Sequence, residues 1–318
     1  MTTAQCPTTA RHLLSITDLT DEDLAYVLAR AVDFARGNRP SRPPLDGDIV
    51  GVYFEQTSTR TRTAFSSGAL RLGAQLVTYG PDDLQTKTGE TMVDTIRVLS
   101  GMLDILVARA TLSPAALAEL ATQSTMSFVN AMSAEEHPTQ ALADLTTLLC
   151  HFGRIDGLRL LYVGEGNSTA AALALALTRF PDVELTLCMP PGYGLPATVR
   201  AVAVEQARRC GAVLTERHEM AGLPTKVEVV YTTRWQTTGT AKADPHWRET
   251  FAPFHVNGGL WKANPDAVFM HDLPAHRGQE VTADVLDGPF SLAFQQAKHK
   301  LHSAMAVLEW CRSPVGTR

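Results

Sequence analysis

The chain has 318 residues, enough for two domains of common size, with 45% hydrophobic and 19% charged residues. A formal charge of −5 without a basic block argues against nucleic acid, though not against a local cationic pocket. No run of about 18 apolar residues predicts a membrane span, and the first residues lack a charged-then-apolar leader pattern. The five cysteines, Cys6, Cys150, Cys188, Cys210 and Cys311, are scattered without CxxC pairs. Such a set fits reduced thiols in a cytoplasmic protein better than a disulfide framework or zinc site.

Thr20-Asp21 ahead of an amphipathic run predicts a capped helix over 22–32, with acids in its first turn. The proline- and glycine-rich stretch 37–44 breaks both periodicities and reads as a loop. Strand patterns over 49–56, 74–79, 104–108 and 127–131 then alternate with helix patterns over 63–72, 91–102, 114–121 and 140–151. A second series follows Gly153, with strands over 158–163, 184–189, 212–215, 227–232 and 267–271. Its helices are predicted over 169–180, 196–210 and near 302–312. This βαβ rhythm predicts an α/β protein of two domains joined near residue 150, each with a mostly parallel sheet flanked by helices. Ligands of such sheets bind beyond the carboxyl ends of the strands.

Polar clusters sit at those strand ends. Ser58-Thr59-Arg60-Thr61-Arg62 delivers hydroxyls and guanidinium groups to the start of a helix. Free backbone N–H groups and the helix dipole favour an anion there, and arginine adds a planar fork for phosphate oxygens. An ordinary cap with solvated arginines is the competing reading. Arg109 directly follows the strand 104–108. His137 and Gln140, in Glu135-Glu-His-Pro-Thr-Gln140, offer an imidazole and an amide that could polarise a carbonyl. Gly164-Glu-Gly166 suggests a nucleotide-type turn, but Thr169 replaces the third glycine of GxGxxG, so a dehydrogenase reading is weak. Arg234 and Gln236 lie in the loop Tyr231-Thr-Thr-Arg-Trp-Gln-Thr-Thr-Gly239. His271-Asp-Leu-Pro-Ala-His-Arg-Gly278 brings two histidines, a carboxylate and an arginine together, but its proline breaks the helical face that a metal-binding pair would use. Anion donors and carbonyl polarisers without an evident nucleophile favour direct transfer from an activated phosphate-bearing donor.

Three of these motifs resemble the aspartate/ornithine carbamoyltransferase family, over nearly the whole chain. Ser58–Arg62 resembles its carbamoyl-phosphate signature and His137-Pro-Thr-Gln140 its HPxQ motif. His271–Gly278 resembles the HCLPAHRG of the ornithine branch. The resemblance implies a carbamoyl-phosphate domain over 1–150, completed by a C-terminal helix over about 295–318 that returns to it. It also implies an acceptor domain over 151–294, a homotrimer with sites between subunits, and no metal or organic cofactor. Ser58, Thr59, Arg60 and Thr61 would hold the phosphate. Arg109, His137 and Gln140 would face the carbamoyl group, with Arg277 nearby and Leu273 in the donor-binding set. Gln85 resembles the glutamine that ornithine enzymes send into a neighbour's site. The aspartate branch has a lysine directly before Gly-Glu-Thr; that position is Thr88 here, with Lys87 one place earlier.

The departures concern the acceptor. Ornithine enzymes carry Asp-x-Trp-x-Ser-Met-Gly in the loop where this chain has Thr233, Arg234, Trp235, Gln236, Thr237, Thr238 and Gly239. The cysteine of HCLP is Asp272. Thr233-Arg-x-Gln236 instead resembles the TRxQ of aspartate carbamoyltransferases, where arginine and glutamine grip a carboxylate. Asn167 resembles the asparagine that meets ornithine, while the usual second asparagine is Ser168. The sequence therefore predicts carbamoyl transfer to a small amino acid or diamine, with a non-standard acceptor. Asp272 would pair with its ammonium or help deprotonate it. The alternatives are a genuine ornithine carbamoyltransferase, with Asp272 assuming the lost aspartate's role, and a non-catalytic binding paralogue.

Overall fold

In the computed structural model, residues 10–122, 124–237 and 240–313 are described. Helix α1 (Asp21–Ala35) is capped by Thr20, whose hydroxyl accepts from the Asp23 N–H at 3.0 Å. Strands β1 (Ile49–Phe54), β2 (Gln75–Tyr79), β3 (Ile105–Arg109) and β4 (Ser127–Asn130) alternate with α2 (Arg60–Arg71), α3 (Met92–Ser100), α4 (Pro114–Thr122) and α5 (Pro138–Phe152). They form one parallel sheet in the order β2-β1-β3-β4. Apolar residues fill β1 and β3 because helices cover both faces of a parallel sheet.

The second half contains β5 (Arg159–Val163), α6 (Ser168–Leu177), β6 (Glu184–Cys188), α7 (Ala197–Cys210), β7 (Val213–Arg217) and β8 (Val229–Thr232). It continues through α8 (Trp247–Phe251), β9 (Val268–His271) and α9 (Ala283–Leu286). Its five strands are also parallel, in the order β7-β6-β5-β8-β9. Every residue of α6 is buried, which its run of alanine and leucine permits, and α6 packs against α5. The chain closes with α10 (Ala293–Arg312), which lies on α1, α2 and α5 of the first half. Gly68 of α2 gives α10 close access, since a Cβ there would sit 3.1 Å from Met305 Cγ. Among the described residues, no helix is long and apolar enough to cross a membrane.

Two element limits differ from the sequence reading in ways that matter. Helix α2 begins at Arg60 rather than 63, so Arg60 and Thr61 belong to its first turn instead of the preceding loop. Helix α10 begins at Ala293, well before the 302 read from periodicity and near the 295 that the resemblance implies. Gln296, His299, Lys300, His302 and Ser303 are all buried, and polar residues on the inward face hide the apolar periodicity.

Candidate active site

Strand register decides which motifs meet. Phe54 at the end of β1 pairs with Arg109 at the end of β3, so residues 57–61 and Arg109 leave the sheet side by side. The order reverses between β1 and β3, the kind of switch point where parallel sheets open a crevice. In the second sheet, Val163 pairs with Thr232 and Thr232 with His271. Gly164–Asn167, Thr233–Thr237 and Asp272 therefore leave on a common rim. The two rims are tied directly: the His137 N–H donates to the Ser168 carbonyl at 3.1 Å.

Between the rims lies a cavity of about 350 Å³. Ser58, Thr59, Arg60, Thr61, Arg109, His137 and Gln140 line it from the first half. Asn167, Thr233, Arg234, Thr237, Asp272 and Leu273 line it from the second. Four cationic side chains, Arg60, Arg109, Arg234 and Lys300, face one carboxylate, Asp272, among the described lining residues. A strongly cationic cavity thus sits in a chain of net charge −5.

The N-terminus of α2 supplies unpaired backbone donors. Its cap, Thr59, makes no side-chain cap bond, and the Arg60 Nε–H is buried with no partner among the described residues. Arg109 Nη1 approaches Ser58 Oγ at 3.4 Å. Burial lowers the pKa of both Arg60 and Arg109, partly offset by Asp272; Arg234 adds to the effect at Arg60, and Arg60 at Arg109. Buried like charges without a matching anion are costly, so this wall favours an anionic ligand.

His137 caps α5 without a side-chain cap bond, with Pro138 at the first helical position. Burial, Lys300 and Arg109 push its pKa well below the ordinary histidine value, so it is neutral. Its Nδ1 is 3.3 Å from Thr139 Oγ1. Gln140 is wholly buried. Its Nε2 donates to Asp144 Oδ1 at 2.7 Å, and its Oε1 accepts from Lys300 Nζ.

On the other wall, Asn167 caps α6, its Oδ1 accepting from the N–H groups of Thr169 and Ala170 at 3.0 and 3.1 Å. Its Nδ2 donates to Thr233 Oγ1 at 3.0 Å. Asp272 accepts from Thr169 Oγ1 at 2.9 Å. Burial alone would raise the Asp272 pKa, but His271, Lys300 and Thr169 outweigh it and hold the carboxyl below its usual range. Asp272 is therefore a stable anion, suited to holding an ammonium and poorly suited to taking a proton. Met132 and Leu273, both on the lining, carry left-handed φ values of 141° and 52°. Non-glycine residues in that region concentrate at functional sites.

Three predicted residues are not on the lining. Arg277 donates from Nε and Nη2 to Asp287 at 2.8 and 2.6 Å on the exposed surface. Gln85 is exposed in a short 3-10 turn and accepts from Thr88 Oγ1 at 2.8 Å. Gln236 turns back to donate to the Thr240 carbonyl at 2.7 Å. Thr238 and the Lys87 side chain lie outside the described residues. Met132, Thr169 and Lys300 line the cavity without having been singled out from the sequence. Behind Lys300, Asp144 binds Gln140, Gln296 and the Tyr231 hydroxyl within 3.0 Å. Gln296, His299, Lys300 and Ser303 recur at helical spacing, a polar stripe that marks this buried network. Burial lowers the Lys300 pKa and raises that of Asp144, each opposed by the other's charge.

Two parallel α/β halves around a cationic crevice define a two-domain α/β fold, and comparison with known proteins makes it specific. Residues 11–149 match the aspartate/ornithine carbamoyltransferase carbamoyl-P binding domain, and residues 156–311 match the family's Asp/Orn binding domain. The chain belongs to the aspartate/ornithine carbamoyltransferase family and is a carbamoyltransferase of the ornithine-like kind. It is 37% identical to the ornithine carbamoyltransferase of Thermococcus kodakarensis over 94% of this chain and 95% of that one. Its fold superposes on the ornithine carbamoyltransferase structure from Pyrococcus furiosus with a TM-score of 0.88, at 34% identity, covering 99% of this chain and 100% of the other. The catalytic subunit of M. jannaschii aspartate transcarbamoylase superposes at 0.79 and 29% identity, covering 94% and 97%.

Proposed function

We propose that this protein moves the carbamoyl group of carbamoyl phosphate to the primary amine of an amino acid in the cavity between its two halves. The observation that carries the proposal is the convergence of Ser58–Thr61, Arg109, His137 and Gln140 at the α2 N-terminus. Phosphate oxygens dock on Ser58, Thr59, Arg60 and Thr61. Arg109, Thr61 and neutral His137 polarise the carbonyl, with Gln140 held beside them by Lys300 and Asp144. The neutral amine attacks the carbonyl carbon, and the oxyanion forms against these donors. The bond from that carbon to the phosphate oxygen then breaks, and phosphate leaves with the amine's proton. Domain closure excludes water. Gln85 would act from a neighbouring subunit of a homotrimer. Arg277 would join only on release from Asp287. A solution mass near three times 34.4 kDa checks the assembly.

The names of the relatives support ornithine as the acceptor, with anionic Asp272 holding an ammonium in place of the aspartate that ornithine enzymes carry where this chain has Thr233. A second reading, an acceptor other than ornithine, rests on Arg234, a cation on the acceptor wall that can grip a carboxylate. Assays of carbamoyl transfer to ornithine, other diamino acids, diamines and aspartate separate the two. Saturable turnover of ornithine in the millimolar range or below removes the second reading; turnover of another amine alone removes the first.

A further inference from the structure

Lys242 is buried where a lysine has no general reason to be. Its side chain is 4% exposed, and its Nζ lies 2.5 Å from Glu165 Oε1. The same ammonium sits over three aromatic rings, 4.8 Å from Tyr193, 4.7 Å from Phe251 and 5.3 Å from Trp247. Trp235 extends the cluster, 5.8 Å from Phe251. Ring faces and a carboxylate are the surroundings that compensate a desolvated ammonium.

This cage belongs to the acceptor wall. The chain between Thr233 and Trp247 carries Arg234 and Thr237 into the cavity and Lys242 into the cage. Glu165 lies in the turn from β5 to α6, two residues before Asn167. The Glu165 carbonyl accepts from the Tyr162 hydroxyl at 2.6 Å, and that hydroxyl is 2.9 Å from Thr233 Oγ1. Thr233 Oγ1 in turn accepts from Asn167. The turn is rigid: Gly166 donates to the Tyr193 carbonyl at 2.8 Å, and a Cβ on Gly166 would collide with the Gly194 carbonyl. Lys242 thus adds an ion pair to a segment where Gln236 and Thr237 also bond to Thr240.

We propose that Lys242 is a positioning residue for the acceptor: its ammonium, seated between Glu165 and the Tyr193–Trp247–Phe251 cage, fixes residues 233–237 and 240–247 in the geometry that presents Arg234 and Thr237 to the acceptor. The proposal rests on the reading of that wall as the acceptor site. It is tested on the full-length enzyme with Lys242→Met, which keeps the stem and removes the charge, and Lys242→Arg, which keeps the charge. Steady-state kinetics in both substrates are measured together with melting temperature.

The lock predicts that Lys242→Met raises the acceptor KM about tenfold or more, with kcat and the carbamoyl-phosphate KM within about threefold of wild type. Lys242→Arg recovers most of the affinity, and Trp235 and Trp247 emission shifts to the red in Lys242→Met alone. An unchanged acceptor KM in Lys242→Met overturns the lock. So does a parallel rise in both KM values with a lowered melting temperature, which marks a merely structural residue. If wild type transfers a carbamoyl group to no amine, the acceptor reading falls and the lock with it.

Discussion

Individual residues carry most of the chemistry, and their surroundings set what each can do. His137 is neutral because burial and two nearby cations oppose its charge, so carbamoyl transfer should show no histidine-type activity loss between pH 6 and 8. Arg60 is the guanidinium in the first turn of α2, and its buried Nε–H has no partner among the described residues. Arg60→Ala should weaken carbamoyl-phosphate binding by about a hundredfold or more, read by calorimetry with a stable analogue; unchanged affinity would refute its role. Glu136 provides a pH test of a different sort. Burial raises its pKa to about 7, despite the bond its Oε1 accepts from the Ile16 N–H at 2.7 Å. Between its unfolded value near 4.5 and about 7, the folded state holds a proton that the unfolded state has lost. This residue's stability contribution is therefore full below that window and lost as pH rises through it. Glu136→Gln should flatten the pH 5 to 8 dependence of melting and gain up to about 3 kcal/mol at pH 8 relative to wild type. An identical pH slope in both proteins would contradict the assignment.

At the scale of elements, helix ends and strand ends place the site. The motifs after β1, β3, β5, β8 and β9 were legible because apolar strands followed by polar, glycine- or proline-marked turns stand out in the chain. Their gathering on two facing rims follows from the parallel register within each sheet. The start of α2 was less legible: threonine and arginine suit a loop or a first turn equally, and only the backbone places Arg60 inside the helix. Helix α10 was largely hidden. Its Gln296, His299, Lys300 and Ser303 look solvated in sequence, yet all four are buried, with Gln296 bonded to α5, β8 and β9 and Lys300 to α5. Gln296 alone accepts from the His271 N–H and donates to Asp144 and the Tyr231 hydroxyl. Gln296→Leu should cost about 2–4 kcal/mol by stranding those buried groups. A melting temperature within a degree of wild type would show the network to be dispensable. Arg277 illustrates the opposite limit: its motif marks a strand-end loop, but its partner Asp287 lies ten residues on and leaves no sequence signal.

For the whole molecule, two sheets and a returning helix hold the donor and acceptor walls across one cavity, and α10 fastens Lys300 and Gln140 between them. Length predicted room for two domains and the βαβ rhythm the α/β class, and the resemblance predicted the donor. On the proposed reading the acceptor is decided by a few side chains, Thr233, Arg234 and Asp272, whose roles depend on which cavity wall they occupy. Transfer of a carbamoyl group to an amino-acid amine is the reaction proposed for this cavity. Incubation with isotope-labelled carbamoyl phosphate and the acceptor panel, followed by mass spectrometry and phosphate release, tests it most directly. The wild-type protein should yield one labelled carbamoyl group on an amino acid for each phosphate released, and Arg60→Ala should yield none. Phosphate release at the uncatalysed rate, with no labelled product from any amine, would contradict it.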